Sequence, residues 1–97
     1  MADSGKRIIV SVHAAQRMQQ RGADWSEVEQ TIREATWQSA ARGKRSAARV
    51  FPFNAPSPIN NKQYTYKKIE VVFADEPTAI VVVTVKVYYH NEAERSL

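Results

Sequence analysis

The segment 79–89 constrains this chain more than any other, because it is eleven residues long and almost wholly apolar. Val81, Val83, Val85, Val87 and Tyr89 recur at every second position. In a strand such positions share one face, so the spacing predicts a central strand whose valine face packs on helices. The other parity, Ile80, Val82, Thr84, Lys86, Tyr88 and His90, begins apolar and turns polar halfway along.

Helices to cover that face are found early in the chain. Residues 6–10 form a short β-branched run that reads as a first edge strand. Ser11 then offers a helix cap, residues 12–20 hold good helix formers without Gly or Pro, and Gly22 stands where a left-handed C-terminal residue is wanted. Ser26 followed by Glu29 has capping-box spacing, and Val28, Ile32 and Ala35 recur at helical intervals, which predicts a second helix over 26–36. Trp25 would sit just before that cap and staple onto the first turn.

The later half reads as extended. Residues 37–48 are small, basic and non-periodic and form the connection into the sheet; 49–53 read as a strand. Residues 54–62, with Pro56, Pro58 and Asn60-Asn61, read as a loop. In 63–74 the aromatics Tyr64 and Tyr66 lie on one parity and Ile69, Val71 and Phe73 on the other, which suggests a bulge near Lys67-Lys68 or a strand covered on both faces. Residues 75–78 supply a turn, and the charged tail 91–97 is expected to fray. The fold expected is therefore α+β, one domain over residues 1–97 with an ordered core about 7–90: two N-terminal helices on an antiparallel sheet of three to four strands.

Composition narrows the function classes. The chain has 97 residues, enough for one core. It has no cysteine, which excludes disulfides and thiolate zinc sites. The N-terminus has no long apolar stretch, so neither a signal peptide nor a membrane span is read, and the expected location is cytoplasmic. The net charge is +4, and between residues 38 and 68 stand Arg42, Lys44, Arg45, Arg49, Lys62, Lys67 and Lys68 with no acidic residue. Clustered cations attract polyanions, which makes RNA a candidate partner for these seven; a solvated face kept for solubility would carry the same charges.

Two sets of residues could carry chemistry. His13, Arg17 and Arg21 follow at four-residue steps along one side of the first helix. Imidazole can move protons near neutral pH and guanidinium can grip phosphate oxygens in a bidentate fork, a combination suited to phosphodiesters. The same row would also suit a solvated helix face. Thr84, Lys86 and Tyr88 interrupt a valine strand with polar groups, as a site on the sheet surface or a face meeting water would require. With two histidines and no carboxylate cluster, the sequence holds too few protein ligands for a metal, and it has no glycine-rich phosphate loop. Any chemistry here is expected to need no metal and no cofactor.

The string Ser11-Val12-His13-Ala14-Ala15-Gln16-Arg17-Met18-Gln19-Gln20-Arg21-Gly22, with Glu27-Val28-Glu29, Ile69-Glu70-Val71-Val72-Phe73 and Val83-Thr84-Val85, resembles a family of small bacterial domains of unknown function. Those domains open with His-Ala-x-x-Arg-Met-x-x-Arg-Gly and end on a Val-Thr-Val strand, and the likeness runs from about Val10 to Tyr88. The family looks like a branch of the barnase/EndoU/colicin/RelE-like toxin ribonucleases. The resemblance implies two helices on a four-stranded antiparallel sheet and metal-independent RNA cleavage by 2′-hydroxyl attack. It places His13, Arg17 and Thr84 in the site, with Arg21 as a fourth and Lys86 or Tyr88 positioning the phosphate or completing proton transfer. Lys86 departs from the aromatic that relatives often carry two residues after the threonine. A toxin of this kind would need a neutralising antitoxin or immunity protein with an acidic surface. The alternative is a non-catalytic RNA-binding or ribosome-associated module using the basic stretch, with Phe51, Phe53, Tyr64 and Tyr66 as stacking platforms. A third reading is a protein-interaction domain whose basic face meets an acidic partner.

Overall fold

A computed structural model describes residues 5–91, so most of the two ends expected to fray lies outside the described residues. The chain runs β1 (Arg7–Val10), α1 (Val12–Arg21), α2 (Trp25–Glu34), β2 (Gln38–Ser39), a 3-10 turn (Ala41–Gly43), β3 (Arg45–Pro56), β4 (Gln63–Asp75) and β5 (Ala79–His90). The strands form one sheet in the order β1-β5-β4-β3-β2. The fold is α+β, as the sequence implies, but the sheet is five-stranded and mixed. β1 pairs with β5 in parallel, Arg7 opposite Ala79 through Val10 opposite Val82, and the other pairings are antiparallel. No helix among the described residues is long and apolar enough to cross a membrane.

α1 forms as its caps dictate. The Ser11 hydroxyl accepts from Ala14 N–H at 3.1 Å, and Gly22 closes the helix at φ 84° with its N–H on the Met18 carbonyl. The N-cap of α2 lies two residues earlier than its sequence pattern suggested, and the helix ends at Glu34, two residues short of the expected end. Asp24, not Ser26, is the N-cap; it accepts from Glu27 N–H at 2.9 Å while Glu27 reaches back to Asp24 N–H at 3.1 Å. Trp25 is thus the first helical residue and half exposed rather than a staple. Glu29 is left to pair with Arg33, one turn on.

Both helices lie on one face of the sheet, and the core fills the space between. Ala14 and Met18 of α1 and Val28, Thr31 and Ile32 of α2 meet Phe51, Ile69, Val71, Phe73, Ile80, Val82, Val85 and Val87. Trp37 closes the edge, its ring 4.8 Å from Phe73 and its N–H on the Ile32 carbonyl.

Three features of the sheet depart from expectation. The stretch 37–48 holds β2, the 3-10 turn and the start of β3, since Arg45 and Ser46 already pair with β2. β3 also continues to Pro56, past the expected start of a loop, by a register shift between Pro52 and Ala55 at Asn54, whose φ is 52°. The bulge expected near Lys67-Lys68 stands instead in β5. Val72 faces Thr84 and Phe73 faces Val82, so Val83 has no partner of its own. That extra residue switches parity: Ile80 and Val82 face the helices before it, Val85 and Val87 after it. Val81 and Val83 therefore do not share the buried face with Val85 and Val87.

Candidate nucleic-acid interface

The row His13, Arg17, Arg21 winds toward the sheet because four residues overshoot a helical turn of 3.6. His13 is exposed, and Arg17 and Arg21 are half-buried. Arg17 donates to the Gln20 side chain at 3.1 Å. Arg21 donates to the Val85 carbonyl at 2.9 Å. β1 stops opposite Val82, so β5 beyond it has an unpaired edge, and Arg21 satisfies one of its acceptors.

The end of α1 is held by two further contacts. Tyr89 donates its hydroxyl to the Arg21 carbonyl at 2.6 Å, and the Lys67 ammonium donates to the Gly22 carbonyl at 2.8 Å. Lys67 also pairs with Glu27 at 2.9 Å and lies 5.1 Å over the Phe53 ring. Only 6% of Lys67 is exposed, so it anchors both helices to β4 and is not available to RNA as the sequence suggested. Burial, followed by the Glu27 carboxylate, raises the pKa of Tyr89.

Thr84, Lys86 and Tyr88 project from the other face of the sheet. Val85 and Val87 are buried under the helices, and strand alternation turns the intervening residues away. The expected catalytic set is thus divided: His13, Arg17 and Arg21 on the helical side, Thr84, Lys86 and Tyr88 on the uncovered side. Arg21 nevertheless reaches the open edge of β5 at Val85, between Thr84 and Lys86.

The uncovered face has an order of its own. Reading across β3, β4 and β5, its rungs are Ser46–Val72–Thr84, Ala48–Glu70–Lys86, Val50–Lys68–Tyr88 and Pro52–Tyr66–His90. Tyr66 and His90 stack with ring centres 5.7 Å apart and planes 21° apart. Tyr88 is 48% exposed, and Lys68 and Lys86 are exposed and form no ion pair among the described residues. Tyr66, read as a stacking platform, Glu70, part of the Ile69–Phe73 string, and His90 meet on this surface, a grouping that no sequence motif gives. Their signal is a shared parity across neighbouring strands, which needs the register to be known.

The basic stretch separates likewise. Arg42, Arg45, Lys62 and Lys68 are exposed and Lys44 half exposed, none of them ion-paired among the described residues. Arg49 is paired with Glu34 and lies 5.3 Å from the Phe51 ring centre. Of the four aromatics read as platforms, Phe51 is buried, Phe53 packs 5.1 Å from Tyr89, and Tyr64 lies 5.7 Å from Tyr89. Tyr66 alone of the four stacks within a rung of the open face. Compared with protein-family models, curated proteins and solved structures, the chain matches none.

Proposed function

We propose that this domain binds single-stranded RNA on the uncovered face of β3, β4 and β5. The observation that carries the proposal is the alternation of rings and free cations there: Tyr66 stacked on His90, Tyr88 next along β5, and Lys68 and Lys86 beside them. Unstacked bases can lie on such rings while ammonium groups meet the phosphates between them, and bases held in a duplex cannot. Anisotropy titration of a labelled single-stranded RNA tests this. Tyr88→Ala should cost about 1–3 kcal/mol of affinity, the usual worth of a stacked base. Unchanged affinity in both Tyr88→Ala and Lys86→Ala would defeat the proposal.

Cleavage is the second reading, favoured by two proton-transfer groups, Glu70 and His90, on the same face and by the resemblance to the barnase/EndoU/colicin/RelE-like superfamily. Two helices on one side of a sheet accord with that resemblance, and the parallel β1 departs from its four-stranded antiparallel form. In such a reaction the 2′-oxygen bonds to phosphorus, the bond to the 5′-oxygen breaks, one group takes the 2′ proton and another protonates the leaving oxygen. Glu70 lies across from Lys86, four residues along β5 from His90, a separation of about 13 Å at the usual strand rise. One phosphodiester does not span that distance, so binding is preferred to catalysis. RNA incubated in chelator decides between them: 2′,3′-cyclic phosphate ends, lost in His90→Ala, would establish cleavage. An antitoxin-like partner belongs to that second reading.

A further inference from the structure

The outer edge of β3 is open over most of its length. β2 pairs only with Arg45 and Ser46, and no other described strand lies beyond it. Two observations fix which backbone groups point outward. Ala40 N–H bonds the Lys44 carbonyl at 2.9 Å, and the pairing continues at Gln38 with Ser46, so even-numbered residues face β2. Pro52 has the same parity and no N–H to give, which suits a residue whose nitrogen faces away from β4. The N–H and carbonyl groups of Ala48 and Val50 therefore point away from the sheet, and no described group bonds them. A groove of about 650 Å³ lies along this edge, bordered by the α2–β2 connection on one side and by β3, Lys68 and Glu70 on the other.

We infer that this edge receives an extended acidic peptide, which continues the line of β2 and pairs with Ala48 and Val50. Unpaired peptide groups in strand geometry are matched by another peptide backbone, not by a nucleic acid. Charge sets the composition of the guest: along the groove Glu34 neutralises Arg49 and Glu70 offsets Lys68, so the excess positive charge lies beyond its β2 end, where Arg42 and Arg45 stand without ion pairs. Pro52 ends the run, because beyond Val50 the edge offers a carbonyl without its N–H. The guest strand is therefore short.

The probe is a fluorescent ten-residue peptide alternating glutamate and threonine, titrated by anisotropy, with two further versions N-methylated at alternate residues in opposite registers. The unmodified peptide should bind below about 1 mM, the weak end of the affinity scale. One N-methyl register should lose at least about tenfold and the other little, since only one set of its amides faces β3. Amide exchange should slow at Ala48 and Val50 and not at Ala47 or Arg49, and Ala48→Pro should lose binding. Equal effects of the two registers, no binding of the unmodified peptide, or protection confined to other strands would each overturn the inference. Displacement of the bound peptide by single-stranded RNA with the same two amides protected would assign the edge to RNA and overturn it as well.

Discussion

Lys67 stands at the point in β4 where the aromatic parity gives way to the aliphatic one, and its side chain explains the change. It continues the face of Ile69, Val71 and Phe73 into the core, carrying a charge that Glu27 and the Gly22 carbonyl satisfy. A local pattern cannot distinguish this from a bulge, because both put a polar residue out of phase. The partner that makes burial tolerable lies 40 positions earlier, and nothing near Lys67 announces it. Removing one member of a buried pair strands the other, at a typical cost of 3–5 kcal/mol; Glu27 keeps some contact with water, so the lower end applies. Lys67→Met should therefore lower stability by about 3 kcal/mol in urea titrations. The folded variant should bind RNA like the wild type, and a weakened affinity with unchanged stability would return Lys67 to the binding surface.

At the scale of elements, the junction of α1 with β4 and β5 is where the Arg21-Gly22 pair acts. A Cβ on Gly22 would come within 2.5 Å of the Tyr89 hydroxyl and 2.9 Å of Pro58, at a φ of 84°. Gly43 has φ 73° but nothing within 4 Å of the same atom. Gly43→Ala should cost about 1 kcal/mol from backbone strain alone, and Gly22→Ala about 3 kcal/mol, the excess measuring the close approach. Equal losses in thermal melts would mean that Tyr89 simply moves aside. The junction also sets an alkaline limit. The folded-state pKa of Tyr89 is raised, so its contribution is complete below the unfolded value of about 10 and is lost as pH rises through the folded value. Tyr89→Phe should cost about 1 kcal/mol at neutral pH and remove part of the fall in stability at high pH. A fall of undiminished size in that variant would assign it to other groups. α1 was legible because its signals are local, Ser11 and Gly22 bounding it, whereas the bulge at Val83 was not, because a run of valines reads as one face whether or not the register shifts within it. The cap of α2 was misplaced because Asp24–Glu27 and Ser26–Glu29 have the same spacing, and the bond from Lys67 to Glu27, which favours the first, joins residues 40 positions apart. Four residues of β1 carry no sign of whether they pair in parallel, and that pairing leaves the β5 edge which Arg21 serves.

Across the whole molecule, packing divides the charge into cations that hold the fold and cations that remain free. Lys67, Arg21 and Arg49 have protein partners, while Lys68 and Lys86 stand on the open face and Arg42, Lys44 and Arg45 lie around the turn from β2 into β3. A run of basic residues in sequence cannot show this division. Salt dependence can read the division directly, since each phosphate contact on a single strand contributes about 0.7 to the log–log slope. Replacing Lys68 and Lys86 together by Ala should lower the slope by about 1.4 for both short and long single-stranded RNA. Replacing Arg42, Lys44 and Arg45 together should leave a short oligonucleotide unaffected, because Thr84 and Val72 separate them from the rungs that carry the rings. A longer RNA, able to run past that rung, should lose slope with the triple variant too. If the triple variant flattens the slope for the short RNA and the double variant does not, the contact surface is the β2 end of the sheet and not the rungs of Tyr66, Tyr88 and His90.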